Sequence, residues 1–329
     1  MNPAVPLHPV ELPPPHPMLA LLACPECKQR LLLDRDHLRC ECGRRYPIVR
    51  GIPRFVANDD YVRSFSFEWN IHRRTQLDSA RGDRKSMNEF RAKLGLDEAQ
   101  LRGKLALDAG VGVGRFTQVM TELGARVIGV DLSFAVEAAQ ENLGRRDDVL
   151  IAQGDIGRLP FAEGTFDYIV SIGVLHHTPD TRKYFEALVP LLKSDGTICI
   201  WVYPDEGDFK ARKCWIPFTN KIPNRMFYEW CRWLLPFVQR RKGTRLQQLI
   251  ARLFGYSQQP FGLENDILDT FDAFSPRYHG THSPEEVARW FREAGLVDVR
   301  KTSGIHTSMR GTKPRRDLEQ VDRPLDRPR

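Results

Sequence analysis

The sequence lacks any long apolar run. The longest near the N-terminus, Met18 to Ala23, is six residues, against about 20 for a membrane-spanning helix, so no transmembrane segment is expected. The N-terminus also lacks the basic and long apolar stretches of a secretory signal, which makes a cytoplasmic protein the expectation. Cysteine is scarce: seven in 329 residues, an odd number that gives no complete disulfide framework. Four of them fall between Cys24 and Cys42, a clustering that points to metal before disulfides. Internal repeats are absent. What is there is ordinary globular composition, 41% hydrophobic and 28% charged, which excludes a wholly disordered, collagenous or coiled-coil chain. The length suffices for a full hydrophobic core and suggests one large domain with something smaller, or two domains. Net charge is +7.

The chain divides by pattern. Residues 1–18 hold seven prolines and read as a disordered, polyproline-like tail. Residues 19–56 carry the cysteine cluster and form a minidomain. Residues 57–103 are polar, with Phe65, Phe67 and Trp69 as anchors, and read as a helical linker covering the next domain. From 104 to 203 short apolar strands alternate with helical periodicity, beginning with Leu105–Asp108, a helix from Phe116 and a strand Arg126–Asp131. That rhythm argues for a doubly wound parallel α/β sheet. Residues 204–270 interrupt it as a basic, aromatic, helical insertion. It resumes over 271–309, with a helix begun by Ser283 and Pro284 and a strand near Leu296–Arg300. Residues 310–329 read as a disordered tail.

The strongest chemical signal is Leu107-Asp108-Ala109-Gly110-Val111-Gly112-Val113-Gly114-Arg115. A strand ends at an acid, and three alternating glycines turn the chain into a helix while letting backbone pass close to a ligand. Asp131, with Leu132 behind it, ends the following strand, where a carboxylate can accept two hydrogen bonds from a ribose diol. The logic is that of dinucleotide sites, but the spacing is G-x-G-x-G and Asp108 would oppose a pyrophosphate.

These residues resemble the class I S-adenosylmethionine-dependent methyltransferases, in the ubiquinone-biosynthesis-like branch. Gly154-Asp155-Ile156 with Leu159-Pro160-Phe161 looks like the adenine-holding segment, and Phe166–Val170 followed by Gly173-Val174-Leu175-His176-His177 like the fourth-strand motif. The resemblance is strong over residues 100–203 and weaker over 270–300. It implies a Rossmann-like, doubly wound, mostly parallel seven-stranded sheet that binds S-adenosylmethionine through Asp108, Gly110, Gly112, Gly114, Asp131, Leu132, Asp155 and Ile156. Two departures are Ser194-Asp195-Gly196, where Pro-Gly-Gly is usual, and Val111, where cysteine is usual.

Cys24-x-x-Cys27 and Cys40-x-Cys42 have zinc-ribbon proportions. With the flanking Tyr46-Pro47-Ile48 and Gly51-Ile52-Pro53 they resemble the small zinc ribbons that activate RNA and protein methyltransferases. The second pair is C-x-C where C-x-x-C is usual, so a metal-free knuckle stays open and His37 is an alternative ligand. Four protein ligands imply a closed, structural site.

From Phe209 to Phe254 eleven Lys or Arg stand against one acid, among nine aromatics. Three readings stay open: a plain substrate lid, a lid that touches anionic lipid or a lipid-linked substrate, and an RNA-binding face. Tyr203, Tyr278, His279 and His282 could line the acceptor site, or cap and pack. His176 and His177 are the candidate general bases for an oxygen acceptor. The function that the resemblance implies is methylation, at oxygen, of a small or lipid-linked molecule; RNA methylation and a catalytically silent, cofactor-binding partner are the alternatives.

Overall fold

The protein is described by a computed structural model over residues 15–56, 63–206, 214–254, 262–303 and 307–315. Most of both expected tails, and Lys210, Arg212 and Lys213 of the insertion, lie outside the described residues.

The cysteine minidomain is a four-stranded antiparallel sheet, β1 (Leu32–Asp34), β2 (His37–Arg39), β3 (Arg45–Val49) and β4 (Ile52–Pro53), paired in chain order. It does not stand apart. Met18, Leu22, Leu31, Leu38 and Tyr46 share one apolar cluster with the main sheet. The Ala23 N–H donates to the Pro160 carbonyl at 2.7 Å, and the Phe55 N–H to the Gln153 carbonyl at 2.8 Å. Order therefore begins ahead of residue 19. The expectation of a tail through residue 18 fails at Met18, which is fully buried because its side chain completes that cluster.

The main sheet has seven strands. β5 (Leu105–Ala109), β6 (Arg126–Asp131), β7 (Val149–Gln153), β8 (Phe166–Ile172) and β9 (Leu192–Val202) pair in parallel, and β10 (Val297–Lys301) and β11 (Thr307–Thr312) add an antiparallel edge, in the order β10-β11-β9-β8-β5-β6-β7. Strand alternation feeds two cores. Leu105, Leu107 and Ala109 face the side shared with the ribbon and the helix Pro284–Glu293. Ala106 and Val127 face the side covered by α3 (Lys85–Leu94) and α5 (Arg115–Glu122). Burial on both faces suits a parallel sheet.

β11 corrects a second expectation, since the tail placed from residue 310 begins inside a strand. Thr307–Thr312 shows no clean apolar alternation. It is held by antiparallel pairing to β9 and by close packing at Gly311, where a Cβ would stand 2.6 Å from the Phe291 ring.

Residues 57–103 contribute α1 (Arg63–Ile71), α2 (Asp78–Arg81), α3 and α4 (Glu98–Leu101). The insertion forms helices Ile216–Thr219, Asn224–Gln239 and Arg245–Phe254, then Leu263–Phe274, which runs past the expected boundary at 270. Phe227, Tyr228, Leu235, Ile267 and Phe271 make their own cluster against Phe67 of α1, with the Tyr228 hydroxyl 2.8 Å from His72 Nε2. β5 has β6 on one side and β8 on the other, and the strand order reverses there. The carboxyl ends of these strands form the crevice where open α/β sheets bind ligands.

Candidate active site

Above that crevice lies a cavity of about 720 Å³, within the range of small-molecule sites. Its floor is the glycine turn between β5 and α5, where Gly110, Gly112 and Gly114 have φ of +100°, +51° and +90°. Gly110 could carry no side chain, because a Cβ would lie 2.2 Å from Val174 Cγ2. Asp131 borders the cavity at the tip of β6. Its Oδ2 accepts from the Gly112 N–H at 3.0 Å, and its Oδ1 from the Ser133 N–H and hydroxyl at 2.8 and 2.7 Å. Burial raises its pKa while those donors hold it down. A carboxylate has about four acceptor sites, so Oδ2 keeps capacity for a ligand. Leu132 and Ile156 border the cavity beside it.

Asp108, Gly114 and Asp155 are not among the residues lining the cavity. Asp108 sits beneath the turn, accepting from the Thr117 hydroxyl at 2.7 Å. Asp155 caps a 3₁₀ turn through the Gly157 N–H at 2.8 Å. Burial pushes the Asp108 carboxyl up to about 7, the Asp131 charge adding to it and the Thr117 hydroxyl opposing. The folded chain thus keeps a proton that the unfolded chain loses near 3.8, and this group lowers stability progressively from about pH 4 to about pH 7. Asp108→Asn keeps an acceptor for Thr117 and removes that charge. Its stability relative to the parent should climb across the interval by up to about 4 kcal/mol. Ligand-free melting curves at pH 4.5 and 7.5 check this, and a pH-independent difference would defeat it.

The sequence candidates for acceptor chemistry separate in space. His177 borders the cavity, as does Tyr203. His177 Nδ1 lies 2.9 Å from the Tyr278 carbonyl, which assigns that nitrogen the proton and leaves Nε2 as acceptor. Nε2 is buried with no hydrogen-bond partner among the described residues. Burial pushes the His177 pKa down to about 4, against the Tyr278 bond, so the ring is neutral at physiological pH. His176 is fully buried and stacks on Tyr203 with centroids 3.7 Å apart. Tyr278, His279 and His282 do not line the cavity. His279 lies behind Tyr203, with centroids 5.0 Å apart, and His282 bonds Thr181 and packs on Trp290.

Sequence reasoning names Phe65 and Trp69 as anchors of helices covering this domain but gives them and the rest of the cavity's cover no site role. Phe65, Glu68 and Trp69 of α1 line the cavity, as do Glu89 and Lys93 of α3. Glu89 binds Lys93 at 2.6 Å and also binds Arg115. Burial would raise the Glu89 pKa, but these two cations bring it down to about 2. Lys93 lies over the Trp201 ring at 3.6 Å. The available signal was the polar character of 57–103, read there as a linker.

The ribbon cysteines converge. All four Sγ atoms lie within 4.8 Å of one another, with Cys24–Cys42 at 3.8 Å and Cys27–Cys40 at 3.4 Å. Zn–S bonds of about 2.3 Å require tetrahedral sulfurs roughly 3.8 Å apart, so the thiols fit zinc despite the C-x-C spacing. Burial would raise the Cys24 pKa, but hydrogen bonding, first from Tyr46, lowers it to about 6. His37 instead pairs with Asp36 at 2.7 Å and is no member of the cluster.

Comparison with known proteins agrees with both halves. Residues 107–200 match the methyltransferase domain family, and residues 16–51 match the Trm112p-like protein family. Phosphoethanolamine N-methyltransferase 2 of Caenorhabditis elegans is 36% identical over 105 residues, 31% of this chain and 24% of that protein. The ubiquinone biosynthesis O-methyltransferase of Pseudomonas paraeruginosa is 28% identical over 146 residues, 44% of this chain and 63% of that protein. The chain thus spans less than two thirds of either relative. Among solved structures, the 1,6-didemethyltoxoflavin-N1-methyltransferase of Burkholderia thailandensis aligns at 19% identity and a TM-score of 0.42, covering 86% of this chain and 98% of that one. Residues 107–200 are thus similar to methyltransferase domains, and residues 16–51, ahead of them, to Trm112p-like proteins.

Proposed function

We propose that the protein is an S-adenosylmethionine-dependent methyltransferase acting on a small-molecule acceptor. One observation carries this reading: the Asp131 carboxylate and the glycine turn border the same cavity as His177 and Tyr203. When bound, S-adenosylmethionine supplies an electrophilic methyl group on a positive sulfur. Asp131 would hold the ribose, with Leu132 and Ile156 against the adenine. Gly110 and Gly112 let the backbone approach the methionine portion. Asp108 and Gly114 act from beneath by fixing the turn, and Asp155 by fixing the 3₁₀ turn that bears Ile156. The protein's main contribution is positioning and exclusion of water.

For an oxygen acceptor, the deprotonated Nε2 of His177 is the general base, and the Tyr278 carbonyl holds the tautomer. His176 supports Tyr203 from below. His177→Ala should cut turnover by about 10²–10⁴-fold with S-adenosylhomocysteine binding near that of the parent. The readout is S-adenosylhomocysteine release with an acceptor the parent methylates. Undiminished turnover removes His177 from the chemistry.

Helix Asn224–Gln239 favours a further contact. Its inner stripe is buried, yet Met226, Trp230, Trp233 and Phe237 form a second stripe at helical spacing that faces outward, Trp233 being 70% exposed. Arg225, Arg232 and Arg240 flank it, also exposed. Among the described residues no helix is long and apolar enough to cross a membrane. We therefore propose an interfacial contact with anionic lipid. Co-sedimentation with phosphatidylglycerol vesicles, weakened on Trp233→Ala and absent with phosphatidylcholine, is expected. Salt-sensitive binding to RNA in place of vesicles would favour the nucleic-acid reading.

A further inference from the structure

One wall of the cavity is acidic in a way that the cofactor reading does not use. Glu68 of α1 is fully buried, and neither of its carboxylate oxygens has a hydrogen-bond partner among the described residues. Across from it, Asn265, Asp269 and Asp272 recur at helical spacing along one face of helix Leu263–Phe274, and all three line the same cavity. The Tyr203 hydroxyl donates to Asp272 at 3.4 Å. Burial, then the charges of Asp272 and Asp269, raises Glu68 well above the usual carboxylate range.

Among the described residues, the cavity's cations are engaged by other acids. Lys93 and Arg115 hold Glu89, Arg81 binds Asp78 at 2.8 Å and Asp83 at 3.0 Å, and Lys85 lies 3.6 Å from Asp83. Lys93 is also near enough to Asp269 to interact with it. The buried Glu68 carboxyl, with no hydrogen-bond partner among the described residues, costs free energy, and it lines the cavity together with Asp269 and Asp272, where a positive ligand would satisfy it. Phe65, Trp69 and Tyr203 line the same space and offer the aromatic faces that attract organic cations.

We infer that Glu68, Asp269 and Asp272 form the recognition site for a basic nitrogen on the methyl acceptor, so that the substrate is a cationic amine. The inference rests on the methyltransferase reading above and names the substrate class of that cavity. It holds for transfer to an oxygen elsewhere on the same molecule, or to the nitrogen itself once that nitrogen has given its proton to one of these carboxylates and regained its lone pair.

The test uses full-length protein saturated with S-adenosylhomocysteine and two amine probes, tyramine and histamine. Tyrosol and 4-hydroxyphenylacetate serve as the uncharged and anionic counterparts of tyramine. Calorimetry should show an amine binding at least about ten-fold more tightly than tyrosol, with the acid excluded. Glu68→Gln, which keeps shape and hydrogen bonding but not charge, should erase that preference while S-adenosylhomocysteine binding stays unchanged. Asp272→Asn should weaken it as well. Equal binding of tyrosol and tyramine, failure of both amines, or an amine preference that survives Glu68→Gln each overturns the inference. So does a Glu68→Gln variant that loses affinity for S-adenosylmethionine alone, since the acids would then serve the sulfonium. Absence of S-adenosylhomocysteine binding in the parent overturns the methyltransferase reading itself, which separates the two failures.

Discussion

Asp131→Ala is expected to lower the affinity for S-adenosylhomocysteine by roughly 100-fold, about 3 kcal/mol. Two losses combine. The ribose hydroxyls lose a charged acceptor, and charge-assisted hydrogen bonds are about twice as strong as neutral ones. The Gly112 N–H and the Ser133 N–H and hydroxyl also lose the carboxylate that ties β6 to the glycine turn. Asp131→Asn should fall between parent and alanine, because one carbonyl oxygen can serve only some of those donors. Calorimetric titration of the three proteins, with melting temperatures measured alongside, checks this. A loss below ten-fold in a well-folded Asp131→Ala variant would mean that the nucleoside is held elsewhere.

Removal of the ribbon metal has the second large expected effect. Purified protein should contain about one zinc per chain. Chelation, or Cys40→Ser, should lower the melting temperature and weaken S-adenosylhomocysteine binding together. The coupling follows from contacts. The Ala23 N–H donates to the Pro160 carbonyl at 2.7 Å, and Lys28 Nζ to the Leu159 carbonyl at 2.8 Å. Leu22 bridges Phe161, and Arg54 pairs along β7 at Gln153. These ribbon residues brace the chain on both sides of Ile156. With the thiolates unbound, the short knuckle has little else to hold it, since structural zinc contributes folding energy outright. We expect binding to weaken by about 10–100-fold, the range found when supports of a site are removed. A metal-free protein that melts and binds like the parent would show that thiol packing alone suffices.

Asp108 and His177 illustrate opposite pH signs in one site. The raised carboxyl subtracts stability as pH climbs from about 4 to 7. The depressed imidazole subtracts stability as pH falls from 6.5 toward about 4, because the unfolded chain then binds a proton that the folded chain refuses. The Asp108→Asn comparison is therefore made against the parent at each pH, which cancels the His177 contribution.

The sequence by itself determined the parts encoded within a few residues of one another. The run Asp108–Gly114, Asp131 at the next strand's end and the 3.6-residue and alternating periods specified a doubly wound sheet and the end of its cavity that the glycine turn and Asp131 border. A strand–turn–helix is a local object, and positive φ at Gly110 and Gly114 is written in the residue type. Tertiary structure alone decided the rest. Glu68 meets Asp269 and Asp272 across some two hundred residues only because α1 and helix Leu263–Phe274 pack over the same crevice. The C-x-C pair closes on Cys24 and Cys27 because the strands fold back, which spacing cannot report. Thr307–Thr312 is a strand because β9 offers it an edge and Phe291 leaves room only for glycine at 311. His176 and His177, adjacent in sequence, part ways because a 3₁₀ turn buries one ring under Tyr203 and brings the other to the cavity wall. Local periodicity sets which face a residue takes, whereas its neighbours are set by long-range packing that no short motif contains.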